Sequence, residues 1–397
     1  MKKISLFFAA CLLPFTLSAE ENHRISYKLS PGAEIVSLNS LAAGNPKEGA
    51  ILISLEDGGS ISKVISRQGE ALETRPASME EAFESLDAVY NGELNPGEVK
   101  KTGYSYEGIS LDASRGNGKE FDLKLDKVAL YDYDGNPATL DDRIVVDGDM
   151  NFLLGLDWNI KIDGNSIKEL TFTNRIDQKS VFDVLLSTPI RIPLPFKKEF
   201  KLAELEFAPV IIGPVVFTPI VTISAGFDVG VAGKVKVNLN QKLSGRYGTH
   251  YLNGSWSGIS ETNERSFKGL LTFMGADGWM KGYAGPKIKL NFYNTAGPYV
   301  EGFGYLKSKA AMASFKPPVI NWGLYGGLEA NAGVSLKIFS FGMKDFKKTI
   351  ATYEKLITSG TFGGDAAREI AVSPLEFDEE NAAPLRRELL SSFGPGR

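Results

Sequence analysis

The feature that most constrains this chain is VTISAGFDVGVAGKVKVNLN at residues 221–240, where apolar and polar side chains alternate without a break. Strict alternation indicates a β-strand with one buried face. A two-residue hairpin would exchange the odd and even positions, and no exchange occurs between Val221 and Leu239. We therefore predict one long strand, or a strand interrupted by a three-residue loop or a bend near Gly233.

The length of this stretch favours a soluble sheet over a membrane barrel. As one strand it would reach about 60 Å, at roughly 3.3 Å per residue, whereas a barrel strand needs only about 9–11 residues. The same alternation recurs at residues 150–162 and 322–338, and no strand is followed by a convincing crossover helix. The predicted fold is mainly β: a long-stranded antiparallel β-sandwich or curved sheet, preceded by a small mixed α+β N-terminal domain.

The N-terminal residues predict export. Lys2 and Lys3 precede an apolar segment that is followed by the small pair Ser18-Ala19, which is the pattern of a signal peptide cut after Ala19. The alternative is a lipoprotein in which Cys11 is lipidated and anchors the protein to a membrane. Cys11 is the only cysteine, so the mature chain would have no disulfides and no cysteine-ligated metal. The periplasm, the cell surface and the medium all remain open.

Breaks in the pattern divide the chain. SMEEAFESLDAVY at residues 78–90 predicts a helix, with Ser78 as its N-cap and Glu80 and Glu81 in its first turn. Glycine-rich segments follow, and they place a boundary near residue 110. The predicted parts are a signal peptide (1–19), a small mixed α+β domain (20–110), an antiparallel β-rich body (111–355) and a polar, partly helical or flexible tail (356–397).

Net charge and hydropathy limit the classes of partner that the protein can bind. The net charge of −4 gives no basic surface for nucleic acid. No segment after the leader supplies the roughly 20 apolar residues that a transmembrane helix needs. The partners that remain are a surface glycan or an envelope protein, and membrane contact through strands stays open.

One loop carries a pattern of metal ligands. In DYDGNPATLDD at residues 132–142, Asp132, Asp134 and Asn136 match the first, third and fifth ligand positions of an EF-hand loop. Pro137 replaces the turn glycine and Arg143 replaces the bidentate glutamate, so the alternative is a polar turn between two strands. The candidate ligands of a structural calcium ion are Asp132, Asp134, Asn136, Asp141 and Asp142, and no other cofactor is predicted.

The sequence contains few of the residues and motifs that are typical of enzymes. His23 and His250 are the two histidines, and no nucleophile, zinc or phosphate motif is present. A glycosidase needs only two carboxylates. The acids that share a strand face or adjoin a tryptophan are Glu204 with Glu206, Asp147 with Asp149, and Asp157 beside Trp158. Because the polar face of a sheet collects such acids by chance, we predict no enzyme activity.

Aromatic residues supply the candidate binding positions. Two tryptophans lie in glycine-rich surroundings, and three aromatic residues share one face of the segment YVEGFGYLK. Exposed rings in a row bind sugars or protein partners, whereas buried rings contribute packing. The candidate ligand-binding residues are Trp256, Trp279, Tyr299, Phe303 and Tyr305.

Several passages resemble those of large secreted or surface bacterial proteins. GAILISLEDGGSISKVISRQGEALETRPASMEEAF (residues 49–83) resembles their N-terminal module. KVALYDYDGNPATLDDRIVVDG (127–148), YAGPKIKLNFYNTAGPYVEGFGYLK (283–307) and WGLYGGLEANAGVSLKIF (322–339) are similar to their β-rich body. The resemblance implies a location outside the cytoplasm and an all-β body, and it implies no reaction.

Three functions follow as hypotheses. The leading one is a non-catalytic secreted or cell-envelope protein that binds a surface ligand or partner. The second is a membrane-active, pore-forming protein that uses an amphipathic hairpin within residues 207–251. The third is a carbohydrate-active enzyme with two acids facing one cleft.

Overall fold

A computed structural model describes residues 23–37, 46–69, 71–112, 118–132, 134–136, 143–188, 196–230, 233–275, 278–315, 318–334 and 346–363. The predicted signal peptide and the chain beyond residue 363 lie outside the described residues. The same is true of Asp141 and Asp142 in the predicted calcium loop.

The described residues form two large sheets and one small sheet. Sheet I contains β1 (Arg24–Leu29), β6 (Phe83–Leu94), β8 (Ile109–Asp112), β9 (Phe121–Asp132), β10 (Arg143–Asp163), β11 (Ile167–Thr188), β15 (Gly233–Leu252) and β16 (Ser255–Gly275). Sheet II contains β7 (Val99–Tyr104), β12 (Phe196–Phe207), β13 (Val210–Ile212), β14 (Val215–Val229), β17 (Gly278–Phe292), β18 (Thr295–Phe315), β19 (Pro318–Val334) and β20 (Phe346–Gly363). The small sheet contains β2 (Ala33–Val36), β3 (Ile51–Ser54), β4 (Ser60–Gln68) and β5 (Ala71–Pro76).

Both large sheets are antiparallel. The order in sheet I is β1-β6-β10-β11-β15-β16, and β9 takes the place of β6 beside the first half of β10. The order in sheet II is β20-β19-β18-β17-β14-β12-β7, with β13 on β14. In the small sheet β2 and β3 are parallel. The predicted mainly-β antiparallel sandwich is confirmed.

An aromatic cluster joins the two sheets at the centre of the core. Trp158 on β10 lies edge-on to Phe217 of β14 and Phe292 of β17, with ring centroids 5.3 and 5.7 Å apart. Tyr90 of β6 stacks on the same indole at 6.0 Å. Because these rings come from both sheets, their packing stabilises the sandwich as a whole.

The opening stretch is two strands, because β14 ends at Val229 and β15 begins at Gly233. Of the two predicted forms, the single long strand is wrong, and the interruption by three residues near Gly233 is confirmed. Residues 221–229 belong to β14, which is paired with β12 and β17 of sheet II. Residues 233–239 belong to β15, which is paired with β11 and β16 of sheet I. Odd-numbered residues are buried on both strands where side chains are described, from Val221 to Val229 of β14 and from Gln241 to Tyr251 of β15. Among the described residues β14 and β15 do not pair with each other, and the hairpin within residues 207–251 is the short one formed by β13 and the start of β14. A membrane-active hairpin in this range stays a prediction.

The predicted helix over residues 78–90 is wrong beyond its first turn. Helix α1 (Met79–Ala82) begins at Ser78, whose hydroxyl accepts a hydrogen bond from the backbone N–H of Glu81 at 3.2 Å. The chain then becomes β6, in which every second residue is buried and β1 and β10 pair on either side. Pairing on both edges overrides the helical spacing. Across the described ranges no helix is long and apolar enough to span a bilayer.

The N-terminal strands are shared between the two large sheets. β1 and β6 lie in sheet I, whereas β7 pairs with β12 in sheet II. Hydrogen bonding therefore crosses the predicted boundary near residue 110. At the other end, residues 356–363 continue β20, which pairs with β19.

Candidate functional site

Four of the five predicted ligand-binding residues lie on the outer face of sheet II. The register aligns Tyr283 of β17 with Tyr305 of β18. Odd-numbered residues of both strands point outward, since their even-numbered neighbours are buried. We call this surface the aromatic face, and its rings are Trp279, Tyr283, Tyr299, Phe303, Tyr305 and Tyr325. Trp256 lies apart on β16 of sheet I, where its ring packs against Tyr251 at 5.0 Å.

Glycines in neighbouring strands let these rings lie against the sheet. A side chain at Gly226 would collide with the ring of Tyr283, and one at Gly327 would collide with Tyr305. Gly333 stands in the same relation to Tyr299, and Gly230 to Trp279. Aromatic side chains that cover glycines of an adjacent strand also help to fix strand register.

Lysines and glutamates fill the spaces between the rings. The Nζ atom of Lys281 lies 4.0 Å from the ring centroid of Tyr305 and 3.1 Å from Glu329. Lys287 lies 4.2 Å from the Tyr299 centroid and 3.3 Å from Glu301. Such contacts combine a cation–π interaction with an ion pair. They leave the aromatic face close to neutral.

The rings differ in exposure, which decides what a ligand can touch. Trp279 is 42% exposed, whereas Tyr305 is 3% exposed beneath its lysine and glutamate neighbours. Tyr283 and Phe303 are half-buried, and their centroids lie 4.9 Å apart. Trp279 is therefore the most accessible ring of the aromatic face, and the Tyr283–Phe303 pair, Tyr299 and Tyr325 are partly accessible around it.

Burial changes the acidity of the tyrosines. It raises the pKa of Tyr283 to about 12, and Glu199 and Asp228 add to the shift because their negative charges oppose ionisation. Burial raises the pKa of Tyr305 and that of Tyr325 in the same direction, with Glu354 contributing to both. The neutral phenol is the form that fits the aromatic face.

We therefore expect stability to fall at alkaline pH. A tyrosine in the unfolded chain ionises near pH 10, while Tyr283 in the folded chain keeps its proton to about pH 12. Stability from this group is complete below the unfolded pKa and is lost as the pH rises through the folded one. Urea midpoints measured between about pH 9 and pH 12 should fall, and Tyr283→Phe should make the fall smaller. An identical fall in both proteins would contradict the assignment.

In the described part of the predicted calcium loop, Arg143 forms an ion pair with Asp132. The Asp132 carboxylate accepts hydrogen bonds from Arg143 Nε at 2.8 Å and from the backbone N–H of Gly135 at 2.9 Å. The Asp134 carboxylate accepts from the backbone N–H of Asn136 at 2.8 Å. Among the described residues no cluster of three or more acidic, histidine or cysteine side chains could hold a metal ion. Calcium binding here would require Asp132 to exchange its arginine for the cation, and it stays a prediction.

The candidate acids for a glycosidase are spread over both sheets. Glu204 and Glu206 are exposed on β12 of sheet II. Asp147 and Asp149 lie on β10 of sheet I. Asp157 and Trp158 point to opposite faces of sheet I, since Trp158 belongs to the core.

Asp157 instead forms part of an ionic network on the outer face of sheet I. Its carboxylate lies 3.4 Å from Arg175 and 3.4 Å from Arg246. Both arginines line a surface groove of about 340 Å³, and Glu261 faces them from β16. His250 lies nearby, with Nε2 3.5 Å from Glu169.

Sequence reasoning missed a polar group inside the sandwich. Asn174 and Gln178 of β11 are fully buried, and Gln241 of β15 is 1% exposed. Gln178 Nε2 donates to the Ser180 hydroxyl at 2.8 Å. Within the described residues, both polar atoms of Asn174 and of Gln241, and Oε1 of Gln178, have no hydrogen-bond partner in the protein. Gln241 is paired with Ser180, two residues from Gln178, whereas Asn174 is paired with Tyr247, further along the same two strands.

These buried carboxamides lower the stability of the core. A buried polar atom without a partner costs about 1–3 kcal/mol. The sequence feature that could have revealed them is an interruption of the apolar face of β11. On its inner side Gln178 and Ser180 lie between Ile176 and Phe182. Polar groups kept in such positions call for a specific explanation.

Comparison of the chain with protein-family models, with curated protein sequences and with solved structures gives no match.

Proposed function

We propose that this protein is a non-catalytic, exported β-protein whose aromatic face binds a surface glycan. The observation that carries the proposal is the convergence of Trp279, Tyr283 and Phe303 on one accessible outer surface. Flat rings contact the apolar C–H faces of sugars, and neighbouring charged groups hydrogen-bond the hydroxyls. Lys281, Glu329 and Asp228 would supply those hydrogen bonds.

The charge balance of the aromatic face supports a neutral ligand. Lys281 and Glu329 form one ion pair beside the rings, and Lys307 and Glu354 form another at 2.8 Å. A surface that carries both signs in pairs offers donors and acceptors side by side, which matches the hydroxyls of a sugar better than a highly charged polymer. The surface also needs little rearrangement, since its side chains are already held by ion pairs and cation–π contacts.

Sedimentation with insoluble cell-wall polysaccharide tests the proposal. Trp279→Ala combined with Phe303→Ala should weaken binding by about tenfold, because aromatic stacking contributes roughly 0.5–1.5 kcal/mol for each ring. Trp256→Ala is the matched control, since it removes a tryptophan from the other sheet, and it should bind as the unaltered protein does. Thermal unfolding of each variant separates lost binding from lost folding.

Three outcomes would contradict the proposal. Equal binding by the double variant would remove the aromatic face from the interaction. Failure of the unaltered protein to bind polysaccharide would reject a glycan ligand of this kind. Sedimentation with lipid vesicles alone would favour the pore-forming alternative. Parallel runs with calcium and with EDTA test the predicted calcium loop.

A further inference from the structure

We propose that the groove on the outer face of sheet I binds a small zwitterionic molecule of dipeptide size. The groove has a volume of about 340 Å³, and its lining includes Arg175, Arg246 and Glu261. Volumes in this range are typical of pockets for small molecules. The groove lies on the other sheet from the aromatic face, so this inference is independent of glycan binding.

Two arginines face each other at the centre of the groove. Arg175 of β11 and Arg246 of β15 are direct cross-strand neighbours, and like charges in such positions repel each other. The buried Asp157 carboxylate relieves the repulsion, because it lies 3.4 Å from both guanidinium groups. A single carboxylate cannot neutralise two guanidinium groups, so the arginine pair keeps a positive charge that a ligand anion can balance.

The arginines also keep N–H groups for a ligand. Arg246 directs Nε to the Thr173 hydroxyl at 3.1 Å and to Asp157, and its two Nη atoms donate to no other residue that the structure describes. The Arg175 guanidinium lies directly over Gly155, where a side chain would collide with it. A carboxylate is the anion that best matches the planar donor groups of arginine.

Acidic side chains border the arginine pair. Glu261 of β16 is the cross-strand neighbour of Arg246, but it is exposed and forms no ion pair with a described residue. Asp177 lines the groove from β11, and it too is exposed and has no ion pair within the described ranges. These carboxylates can bind an ammonium group. Because neighbouring strands lie about 4.8 Å apart, the two charges of the ligand should be about one strand spacing apart, as in a dipeptide.

A gap between β6 and β9 gives the groove an apolar side. Pairing of β10 with β6 stops at Leu154 and its pairing with β9 starts at Phe152, so Leu153 has no partner on that side among the described residues. Leu153 is 37% exposed and lines the groove. The ion pair of Lys119 with Glu93, at 2.9 Å, lies beside it. A small apolar side chain of the ligand can contact Leu153 while its charged ends reach the arginines and the acids.

Calorimetric titration of the full chain with three matched probes at low ionic strength tests the inference. Alanylalanine carries both charges, N-acetyl-alanylalanine carries only the carboxylate, and alanylalanine amide carries only the ammonium group. Alanylalanine should bind most tightly. Each blocked form should bind at least about tenfold more weakly, because it loses one charge-assisted contact.

Two variants assign the charges of the ligand to residues. Arg246→Gln should lose most of the preference for alanylalanine over its amide, and Glu261→Gln should lose most of the preference over the N-acetyl form. Glu261 is exposed, so this variant should fold even if Arg246→Gln does not, and thermal unfolding checks both. Lys242→Gln is the matched control, since it removes an ion-paired cation from the same face of β15, and it should keep both preferences.

Three results would overturn the inference. They are a failure of alanylalanine to bind the unaltered protein, equal binding of the three probes, and unchanged preferences in both Arg246→Gln and Glu261→Gln. Trp279→Ala combined with Phe303→Ala should bind alanylalanine as the unaltered protein does. A failure of this inference is therefore distinguishable from a failure of glycan binding.

Discussion

Replacing Trp158 by alanine should lower the free energy of unfolding by about 3–5 kcal/mol, the cost of removing a large aromatic side chain from a core. The indole is 2% exposed and contacts Tyr90, Phe217 and Phe292, which come from both sheets. Total stabilities of roughly 5–15 kcal/mol are usual, so the loss is a large fraction of the whole. Urea unfolding at 25 °C, followed by circular dichroism, measures it.

Trp279→Ala is the control for this experiment. It removes another of the four tryptophans, but from a site that is 42% exposed. We expect a change below about 1 kcal/mol, as for most surface substitutions. Similar losses in the two variants would show that the Trp158 cluster does not hold the sheets together.

Periodicity in the sequence predicted strands well and their sheets poorly. The alternation correctly marked the buried face of β14 from Val221 to Val229. It could not show that the chain leaves sheet II after Val229 and enters sheet I at Gly233. Both sheets bury their apolar faces in the same core, so the crossing leaves no trace in the pattern. Which strands pair is decided by contacts that are distant in the sequence.

The helix prediction for residues 78–90 failed because the apolar residues there fit both the helical period and the strand period. Ala82, Phe83 and Leu86 fit a helix, whereas Leu86, Ala88 and Tyr90 fit a strand equally well. The N-cap at Ser78 was predicted correctly, because its hydrogen bond to Glu81 is local. Pairing with β1 and β10 then determined the rest, and those strands are far away in sequence.

The aromatic face could be predicted only in part. Tyr299, Phe303 and Tyr305 are on one strand, so alternation alone placed them together. Tyr283 and Tyr325 lie beside them because of the register in which β17, β18 and β19 pair, and the sequence does not reveal that register. The available clue was the recurrence of glycines among the aromatics of these segments. Gly327 and Gly333 of β19, for example, accommodate the rings of Tyr305 and Tyr299 from β18.

For the calcium loop, the sequence pattern predicted a cation site that the described geometry does not by itself support. The spacing of Asp132, Asp134 and Asn136 fits a cation site. The sequence also contains Arg143, and in the structure its guanidinium bonds the Asp132 carboxylate. Cation ligands and polar turns draw on the same residues, so spacing alone cannot separate them.

Asn165→Ala should lower the free energy of unfolding by about 2–4 kcal/mol, by losing hydrogen bonds and straining a turn. Asn165 lies in the tight turn between β10 and β11, where its φ is +57°. Its side-chain amide donates to the Ser30 hydroxyl at 2.8 Å and to the carbonyl oxygens of Glu80 and Phe83 at 2.9 and 3.3 Å. It thereby attaches the N-terminal strands and α1 to the longest hairpin of sheet I.

Asn253→Ala isolates the effect of the turn itself. Asn253 occupies the corresponding turn between β15 and β16 with a φ of +46°, and its side chain is exposed. We expect it to cost only about 1 kcal/mol, the strain of alanine in a left-handed conformation. Subtracting that value from the effect of Asn165→Ala leaves the contribution of the three hydrogen bonds. Hydrogen exchange should then show β1 and α1 losing protection in Asn165→Ala and not in Asn253→Ala. Equal losses of stability in the two variants would mean that the turn, rather than the contacts to Ser30, Glu80 and Phe83, sets the stability of this end of the sandwich.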